Sequence, residues 1–253
     1  GLTAPLRLDC ALTYSLPDGS SADDAPAKRV DRELATAEWT SILDKAWAVG
    51  IPHVTFTGGE PTLRDDLPEL IAYAEAKGMV SGLLSDGLKL ADKTYFNTLL
   101  QTGLDHLLFI LQPDNETSWA ALNVILPEDL YTTVHLTINN ETAPNLGATL
   151  ERLGQLEINS LSLSASPDQV ENLEFAREQA ANMGVSLTWD LPVPYSAHHP
   201  VALETIEENI PEGAGKAWLY VEPDGDVLPT QGMADHILGN FLRDDWSEIW
   251  KIH

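Results

Sequence analysis

Short apolar runs alternate with amphipathic segments from residue 6 to about residue 194. Seven runs are rich in Leu or β-branched residues, have strand length and end in turn-forming residues. They predict strands at 6–13, 53–57, 80–85, 106–111, 132–138, 160–165 and 185–189. Between the strands, apolar residues recur with the period of an α-helix. This pattern predicts helices at 36–49, 67–77, 93–101, 143–156 and 168–183, and a weaker one at 115–126.

Capping residues mark the ends of several predicted helices. Thr36 stands two residues before Glu38, which is typical of an N-cap, and Gly50 follows the last apolar residue of that helix. Asp66 precedes a Leu-Pro pair, which suits the first turn of the next helix. Asp168 is predicted to open the last long helix.

Repeated alternation of strands and helices predicts a parallel sheet with crossover helices. A closed eight-stranded barrel needs roughly 250 residues, whereas only about 190 residues belong to this repeat. We therefore predict an α/β fold, a partial (β/α)6-type TIM barrel, over residues 1–209. Residues 210–253 are predicted to form a small module: two short strands at 216–221 and 226–228, joined at an Asp-Gly turn, and a helix at 244–251.

The chain carries 39 acidic and 14 basic side chains, a formal net charge of −25. Such a surface repels phosphate groups, so nucleic acids and anionic membranes are poor partners. Three interpretations stay open: a well-solvated surface, a salt-rich cytoplasm, and a basic protein or peptide partner. No apolar run is long enough to span a bilayer, and a cytoplasmic location is expected. The sole cysteine, Cys10, rules out every multi-thiolate metal site within this chain.

The segment His53-Val-Thr-Phe-Thr-Gly-Gly-Glu-Pro-Thr-Leu-Arg64 resembles the radical S-adenosylmethionine (AdoMet) family at its Gly-Gly-Glu-Pro signature. The strand at 6–13 and Ser85-Asp86-Gly87 also resemble this family's first and third strands. Towards the C-terminus, residues 220–230, 238–240 and 246–250 resemble the SPASM/twitch extension of its peptide-modifying members. The similarity covers about the first 110 and the last 40 residues.

In that family the Gly-Gly-Glu-Pro loop holds the methionine end of AdoMet, which implies that Gly58, Gly59, Glu60 and Pro61 bind this cofactor here. Glycine lets backbone groups approach a ligand closely, proline stiffens the turn, and Glu60 offers an anion to an ammonium group. The alternative is an ordinary strand exit with Glu60 in solvent.

The resemblance fails at the iron–sulfur cluster. The family's Cys-x3-Cys-x2-Cys loop begins two residues after the position of Tyr14, so its cysteines correspond to Leu16, Ser20 and Asp23. Leucine has no donor atom, and hydroxyl or carboxylate oxygens are poor ligands for soft iron–sulfur chemistry. Cys10 lies inside a predicted strand, where a small buried side chain is its expected role.

The extension has changed in the same way, because Tyr220 and Thr230 stand where SPASM-type relatives have cluster cysteines. A [4Fe–4S] cluster is therefore not expected, and without one this chain alone cannot perform radical AdoMet chemistry. AdoMet itself stays an open ligand.

Other polar residues follow the predicted strands. Those expected near the carboxyl ends of strands are Ser85, Asp86, Gln112, Thr137, Asn139 and Ser164. They form a pocket for a nucleoside or peptide, or they cap strand ends; both interpretations stay open. The His198-His199 pair, with Asp190 and Glu204 nearby, is better explained as a surface loop than as a metal site.

Two functions follow. In the first, the chain is a pseudoenzyme that binds a peptide, an active paralogue or a nucleoside. In the second, the partial barrel supports non-radical catalysis at its mouth, with or without AdoMet. Oligomeric state is not predicted.

Overall fold

The computed structural model describes residues 3–19, 30–189, 193–194 and 210–251. Its strands are β1 (Arg7–Thr13), β2 (His53–Gly58), β3 (Val80–Ser85), β4 (His106–Ile110), β5 (Tyr131–Ile138), β6 (Ser160–Ala165), β7 (Ser186–Thr188), β8 (Trp218–Val221), β9 (Asp226–Leu228) and β10 (Gly239–Asn240). Its α-helices are α1 (Thr36–Ala48), α2 (Leu67–Lys77), α3 (Lys93–Leu100), α4 (Glu116–Ile125), α5 (Leu146–Gln155), α6 (Val170–Asn182) and α7 (Trp246–Ile249).

The chain divides into two compact units. The first comprises Gly1–Leu84, Gln101–Asp105 and Pro194–His253, and the second comprises Ser85–Leu100 and His106–Val193. Segments of the two units alternate along the sequence. The predicted domain boundary at residue 209 stays a prediction.

In the first unit, β1 is the central strand. It pairs in parallel with β2 on one side and with β8 on the other, and β3 continues the sheet in parallel beyond β2. β9 returns antiparallel to β8, and β10 pairs antiparallel with β9. The turn between β8 and β9 contains Gly225 at φ 93°, the left-handed backbone that an Asp-Gly turn supplies. The predicted hairpin is therefore confirmed.

In the second unit, β4, β5, β6 and β7 pair in parallel in chain order. Val134, Leu136, Ile138 and Leu161 are fully buried. The intervening positions of β5 and β6 carry hydroxyl groups and one imidazole, so the two faces of this sheet differ sharply in polarity.

One predicted N-cap and one predicted helix start are wrong. Ala35, not Thr36, precedes α1, and its backbone N–H donates to the Glu38 carboxylate at 3.0 Å. The Thr36 hydroxyl instead donates to Asp66 at 2.7 Å, because the helix begins one residue earlier than the capping pattern predicts. Asp168 lies in a 3-10 turn, and α6 begins at Val170.

Across the described ranges, every helix is too short or too polar to cross a membrane.

Candidate functional site

The two glycines after β2 face the chain's own backbone. A Cβ atom added at Gly58 would lie 2.3 Å from the Thr13 carbonyl oxygen. One added at Gly59 would lie 2.3 Å from the Ser15 carbonyl oxygen. Both distances are shorter than any real Cβ contact, so side chains are excluded at both positions. The glycine pair therefore lets the exit of β1 pass directly over the end of β2.

Glu60 is buried, with 3% of its surface exposed, so the alternative that placed it in solvent is wrong. Its backbone N–H donates to the Ser15 carbonyl at 2.9 Å. Its carboxylate accepts hydrogen bonds from the Thr62 N–H at 3.2 Å and from the Thr62 hydroxyl at 2.8 Å. Pro61 begins a 3-10 turn at Pro61–Leu63, as suits its fixed φ. The Gly-Gly-Glu-Pro segment is thus a packed turn joined to the end of β1.

Leu16, which the resemblance places at the first cluster-cysteine position, is a buried apolar side chain. Leu16 is 6% exposed and its carbonyl accepts from the Gly19 N–H at 2.9 Å. Ser20 and Asp23 lie outside the described residues. Cys10 is fully buried in β1, where burial first and the charge of Asp9 second raise the pKa of its thiol. This thiol is therefore protonated near neutral pH and is no metal ligand.

Within the four described ranges, no group of three or more His, Cys, Asp and Glu side chains is placed to hold a metal ion. A [4Fe–4S] cluster is held by thiolates, and the sequence offers one, Cys10, buried in β1; Leu16 has no donor atom, so these residues do not fit such a cluster. His198, His199, Asp190 and Glu204 lie outside the described residues, so that prediction is not resolved.

Tyr220, which the resemblance places at a cluster-cysteine position of the extension, forms a buried network with the end of β1. The Tyr14 hydroxyl lies 3.1 Å from the Tyr220 hydroxyl and donates to Glu222 Oε2 at 2.7 Å. The pKa of Tyr14 is raised well above its usual value, first by burial and then by the neighbouring Tyr220 and Glu222. Ala11 and Leu228 belong to the same buried cluster as the two tyrosines.

Thr230, the second such position, is also engaged. Its hydroxyl accepts a hydrogen bond from the Trp218 indole N–H at 3.1 Å. No role was predicted for Glu222 from the sequence, and Tyr14 served only to align the cysteine loop of the resembled family. An isolated Tyr near a strand end gives no signal of a partner that lies more than two hundred residues away in the chain.

The predicted rim residues at the start of the second unit form a turn. The Ser85 hydroxyl accepts from the Gly87 N–H at 2.9 Å, and the Asp86 carboxylate accepts from the Leu88 N–H at 3.0 Å. Gly87 has φ 69° and packs against the Phe109 ring, where a Cβ would lie 2.0 Å from a ring carbon. Ser85 and Asp86 thus stabilise a strand exit, and their role in ligand binding stays a prediction.

Asn139 likewise shapes a turn after β5, where its side-chain oxygen accepts from the Glu141 and Thr142 N–H groups at 2.9 and 3.0 Å. Gln112 accepts at 3.0 Å from the Asn115 side chain. Thr137 and Ser164, in contrast, are brought together by the pairing of β5 with β6. Both contact His135, for which the sequence predicts only a packing or capping role within its strand.

His135 is 1% exposed and both of its ring nitrogens contact hydroxyl groups. Nδ1 lies 2.9 Å from Ser162 Oγ, and Nε2 lies 3.1 Å from Ser164 Oγ and 3.2 Å from Thr137 Oγ. The row of hydroxyls continues through Ser160, which contacts Thr133 at 3.1 Å and Thr188 at 2.8 Å.

No family model matches the chain. It is 28% identical to the PqqA peptide cyclase of Gluconobacter oxydans over 284 aligned positions, which cover 98% of this chain and 77% of the relative. The PqqA peptide cyclase of Rhizobium meliloti is 27% identical, with 97% of this chain and 73% of the relative covered.

Solved structures share the fold. Streptococcus suis SuiB bound to S-adenosylmethionine matches with a TM-score of 0.69 at 14% identity, and 98% of this chain covers 64% of SuiB. AdoMet-bound anSMEcpe matches with a TM-score of 0.72 at 14% identity over 98% of this chain and 78% of that one. The chain is thus similar in sequence to PqqA peptide cyclases and in fold to SuiB and anSMEcpe, and it contains a single cysteine.

The predicted fold class, a partial (β/α)6-type barrel whose sheet is not closed, is thereby confirmed. The chain is shorter than these proteins and spans just under two thirds of the SuiB chain. The SuiB structures include one with bound precursor peptide SuiA.

Proposed function

We propose that this protein is a cluster-free member of the radical AdoMet superfamily that acts by binding a peptide. One observation supports the proposal: the positions that the resemblance assigns to cluster cysteines are occupied by side chains with packing or hydrogen-bonding roles of their own. Leu16 is a buried apolar residue, Tyr220 bonds within a buried network, and Thr230 accepts from an indole. A fold that has filled these positions with its own contacts does not need a cluster to hold its shape.

Loss of the cluster removes the source of the electron in this reaction class. Iron–sulfur clusters are held by thiolates, and the full sequence offers one thiol, buried and protonated in β1. No radical step is therefore assigned to this chain.

A peptide is the partner class that the relatives support. Two relatives are named for cyclising the PqqA peptide, and one solved neighbour holds the precursor peptide SuiA. The chain covers 73 to 77% of these cyclases, and 98% of it matches 65% of the peptide-bound SuiB chain. Net charge also favours a basic peptide over an acidic one, because 25 excess negative charges attract cations and repel anions.

AdoMet binding by the Gly58–Pro61 turn, with Ser85, Asp86, Thr137 and Asn139, stays a prediction. It is supported by the AdoMet-bound neighbours. However, the contacts of Gly58 and Gly59 with Thr13 and Ser15 already account for both glycines without a ligand.

The first experiment is anaerobic purification followed by iron and sulfide analysis and by binding measurements on the same sample. We expect far less than one iron per chain and saturable binding of a fluorescent synthetic PqqA peptide, with a scrambled peptide of equal composition as control. Calorimetry with AdoMet and S-adenosylhomocysteine tests the nucleoside prediction in parallel. A stoichiometric [4Fe–4S] cluster would refute the cluster-free proposal, and equal binding of the scrambled peptide would refute specific peptide recognition.

A further inference from the structure

One face of β5 and β6 carries polar side chains at every second position of both strands. Parallel pairing places Thr133 beside Ser160, His135 beside Ser162, and Thr137 beside Ser164. We call these six residues the hydroxyl ladder. Barrel interiors are usually filled by Val, Ile and Leu, and burying a hydroxyl gains little stability even when it is hydrogen-bonded. A ladder of buried hydroxyls around one imidazole therefore points to chemistry more than to packing.

The geometry holds the His135 ring in one orientation. Ser162 Oγ lies 2.9 Å from Nδ1, on the opposite side of the ring from Ser164 Oγ at 3.1 Å from Nε2. When Nδ1–H donates to Ser162, Nε2 presents a lone pair to a hydroxyl proton. A nucleophile within hydrogen-bond reach of a base, which is itself oriented by a third group, is the arrangement that activates a serine.

Solvent exposure of the ladder serines increases towards the carboxyl end of β6, where a substrate could reach them. Ser160 and Ser162 are 1% and 3% exposed, whereas Ser164 is only partly buried. Ser164 also lies one residue before the end of β6, at the carboxyl edge where barrel enzymes carry their reactive groups. The base is therefore shielded from water while the hydroxyl that it contacts is reachable.

We propose that Ser164 is a nucleophile activated by His135, with Ser162 as a positioning residue, and that its substrate is an uncharged ester. Ser164 Oγ attacks the carbonyl carbon as its proton passes to His135 Nε2. The C–O bond to the alcohol breaks, and that proton leaves with the alcohol. Water then attacks the acyl-serine, giving its proton to His135 and releasing the acid, and Ser164 regains a proton.

Two charges favour an uncharged ester as the substrate. His135, the one ladder residue that can become a cation, disfavours a cationic ester beside it, and the 25 excess negative charges of the protein disfavour an anionic one. The inference goes beyond peptide binding and requires no AdoMet, cluster or peptide, so it can fail while the proposed function stands.

The test is covalent labelling with a fluorophosphonate, which reacts with activated serines by loss of fluoride. Intact mass and peptide mapping should show one adduct, on Ser164. The variant Ser164→Ala should not be labelled, whereas Ser166→Ala, a partly buried serine two residues away that donates to the Ile138 carbonyl, should be labelled at the wild-type rate. His135→Gln should label about 10²–10⁴-fold more slowly, the usual contribution of a general base.

The positioning role has its own test. Ser162→Ala should slow labelling, and Ser162→Thr, which restores the hydroxyl, should recover it; a purely structural serine would give no such rescue. Circular dichroism and thermal melts identify any variant that does not fold, and the Ser162 pair replaces His135→Gln if that variant is unfolded. Absence of an adduct on wild-type Ser164, or equal labelling of His135→Gln, would overturn the inference.

Discussion

The Tyr14 hydroxyl donates a 2.7 Å hydrogen bond to Glu222 Oε2, joining the chain after β1 to the chain after β8. Both side chains are buried, at 4% and 3% exposure, and Tyr220 lies 3.1 Å from the same hydroxyl. A buried carboxylate is costly unless hydrogen bonds satisfy it. The three groups therefore depend on one another, and Tyr14 lies two residues before Leu16, where the resembled family begins its cluster loop.

Replacing Tyr14 by Phe should destabilise the protein by about 1–3 kcal/mol, because it removes a hydrogen bond from a buried carboxylate. Urea denaturation at neutral pH measures this free energy of unfolding. Tyr73→Phe is the matched control, since Tyr73 donates a 2.7 Å bond to Asp44 at an exposed site; its effect should stay within about 0.5 kcal/mol. If both variants lost the same free energy of unfolding, burial of the Tyr14–Glu222 hydrogen bond would not be what makes it stabilising.

Gly59→Ala should be among the most disruptive single-methyl additions, since its Cβ would lie 2.3 Å from the Ser15 carbonyl oxygen and 2.8 Å from the Tyr14 carbonyl carbon. Backbone atoms there cannot move aside without shifting the exit of β1. Gly147→Ala is the opposite case, because Gly147 lies inside α5 and its Cβ would meet only the Phe175 ring at 4.0 Å.

Thermal melts of these two variants should therefore move in opposite directions. Gly147→Ala should raise the free energy of unfolding by roughly 0.5–1 kcal/mol, the usual gain of alanine over glycine within a helix. Gly59→Ala should lower it by more than that amount or prevent folding. If Gly59→Ala melts like the wild type, the close contact with Ser15 is not a constraint.

The strands and helices of the barrel were predictable because their signals are local. β3 and β6 match their predicted bounds, and α2 runs from Leu67 to Lys77 as its Pro and Gly signals indicate. The first residue of α1 agrees with its predicted bound, but its N-cap was missed, because the cap position is Ala35, whose backbone N–H donates to Glu38. Capping rules look for a polar side chain at the cap position, so they do not detect a hydrogen bond from the backbone N–H of an alanine.

The site was less predictable because its contacts are long-range. The motif located Gly58 and Gly59, yet only coordinates show that both face the backbone of Thr13 and Ser15. His135 lies in a strand whose alternation looks like any half-buried strand. Its significance depends on the register between β5 and β6, which no local pattern fixes.

Salt should stabilise the protein, because 39 acidic side chains against 14 basic ones repel one another in the folded state. Raising KCl from about 0.1 M to about 1 M shortens the Debye length from roughly 10 Å to roughly 3 Å. The melting temperature should rise across this range. Choline chloride at equal ionic strength should act similarly if screening is the cause, whereas a fall in melting temperature with KCl would contradict it.

Stability should also decline as pH rises towards neutrality, through a pair of carboxyl groups joined by Ser81. The Ser81 hydroxyl donates to Glu75 at 2.6 Å and its N–H donates to Asp105 at 2.8 Å. Burial, followed by a hydrogen bond with Asp105, raises the pKa of Glu75 from 4.5 to about 7. The folded state therefore holds this proton more tightly than the unfolded chain does.

The contribution of this proton is fully present below pH 4.5 and is lost as pH rises through about 7. Glu75→Gln cannot lose the proton, so the wild type should lose stability relative to this variant between those pH values. Urea denaturation from pH 4.5 to 8 measures the difference. Glu69→Gln, an exposed residue on the same helix, should keep the wild-type pH dependence. If Glu75→Gln and the wild type show parallel profiles, Glu75 does not retain its proton in the folded state.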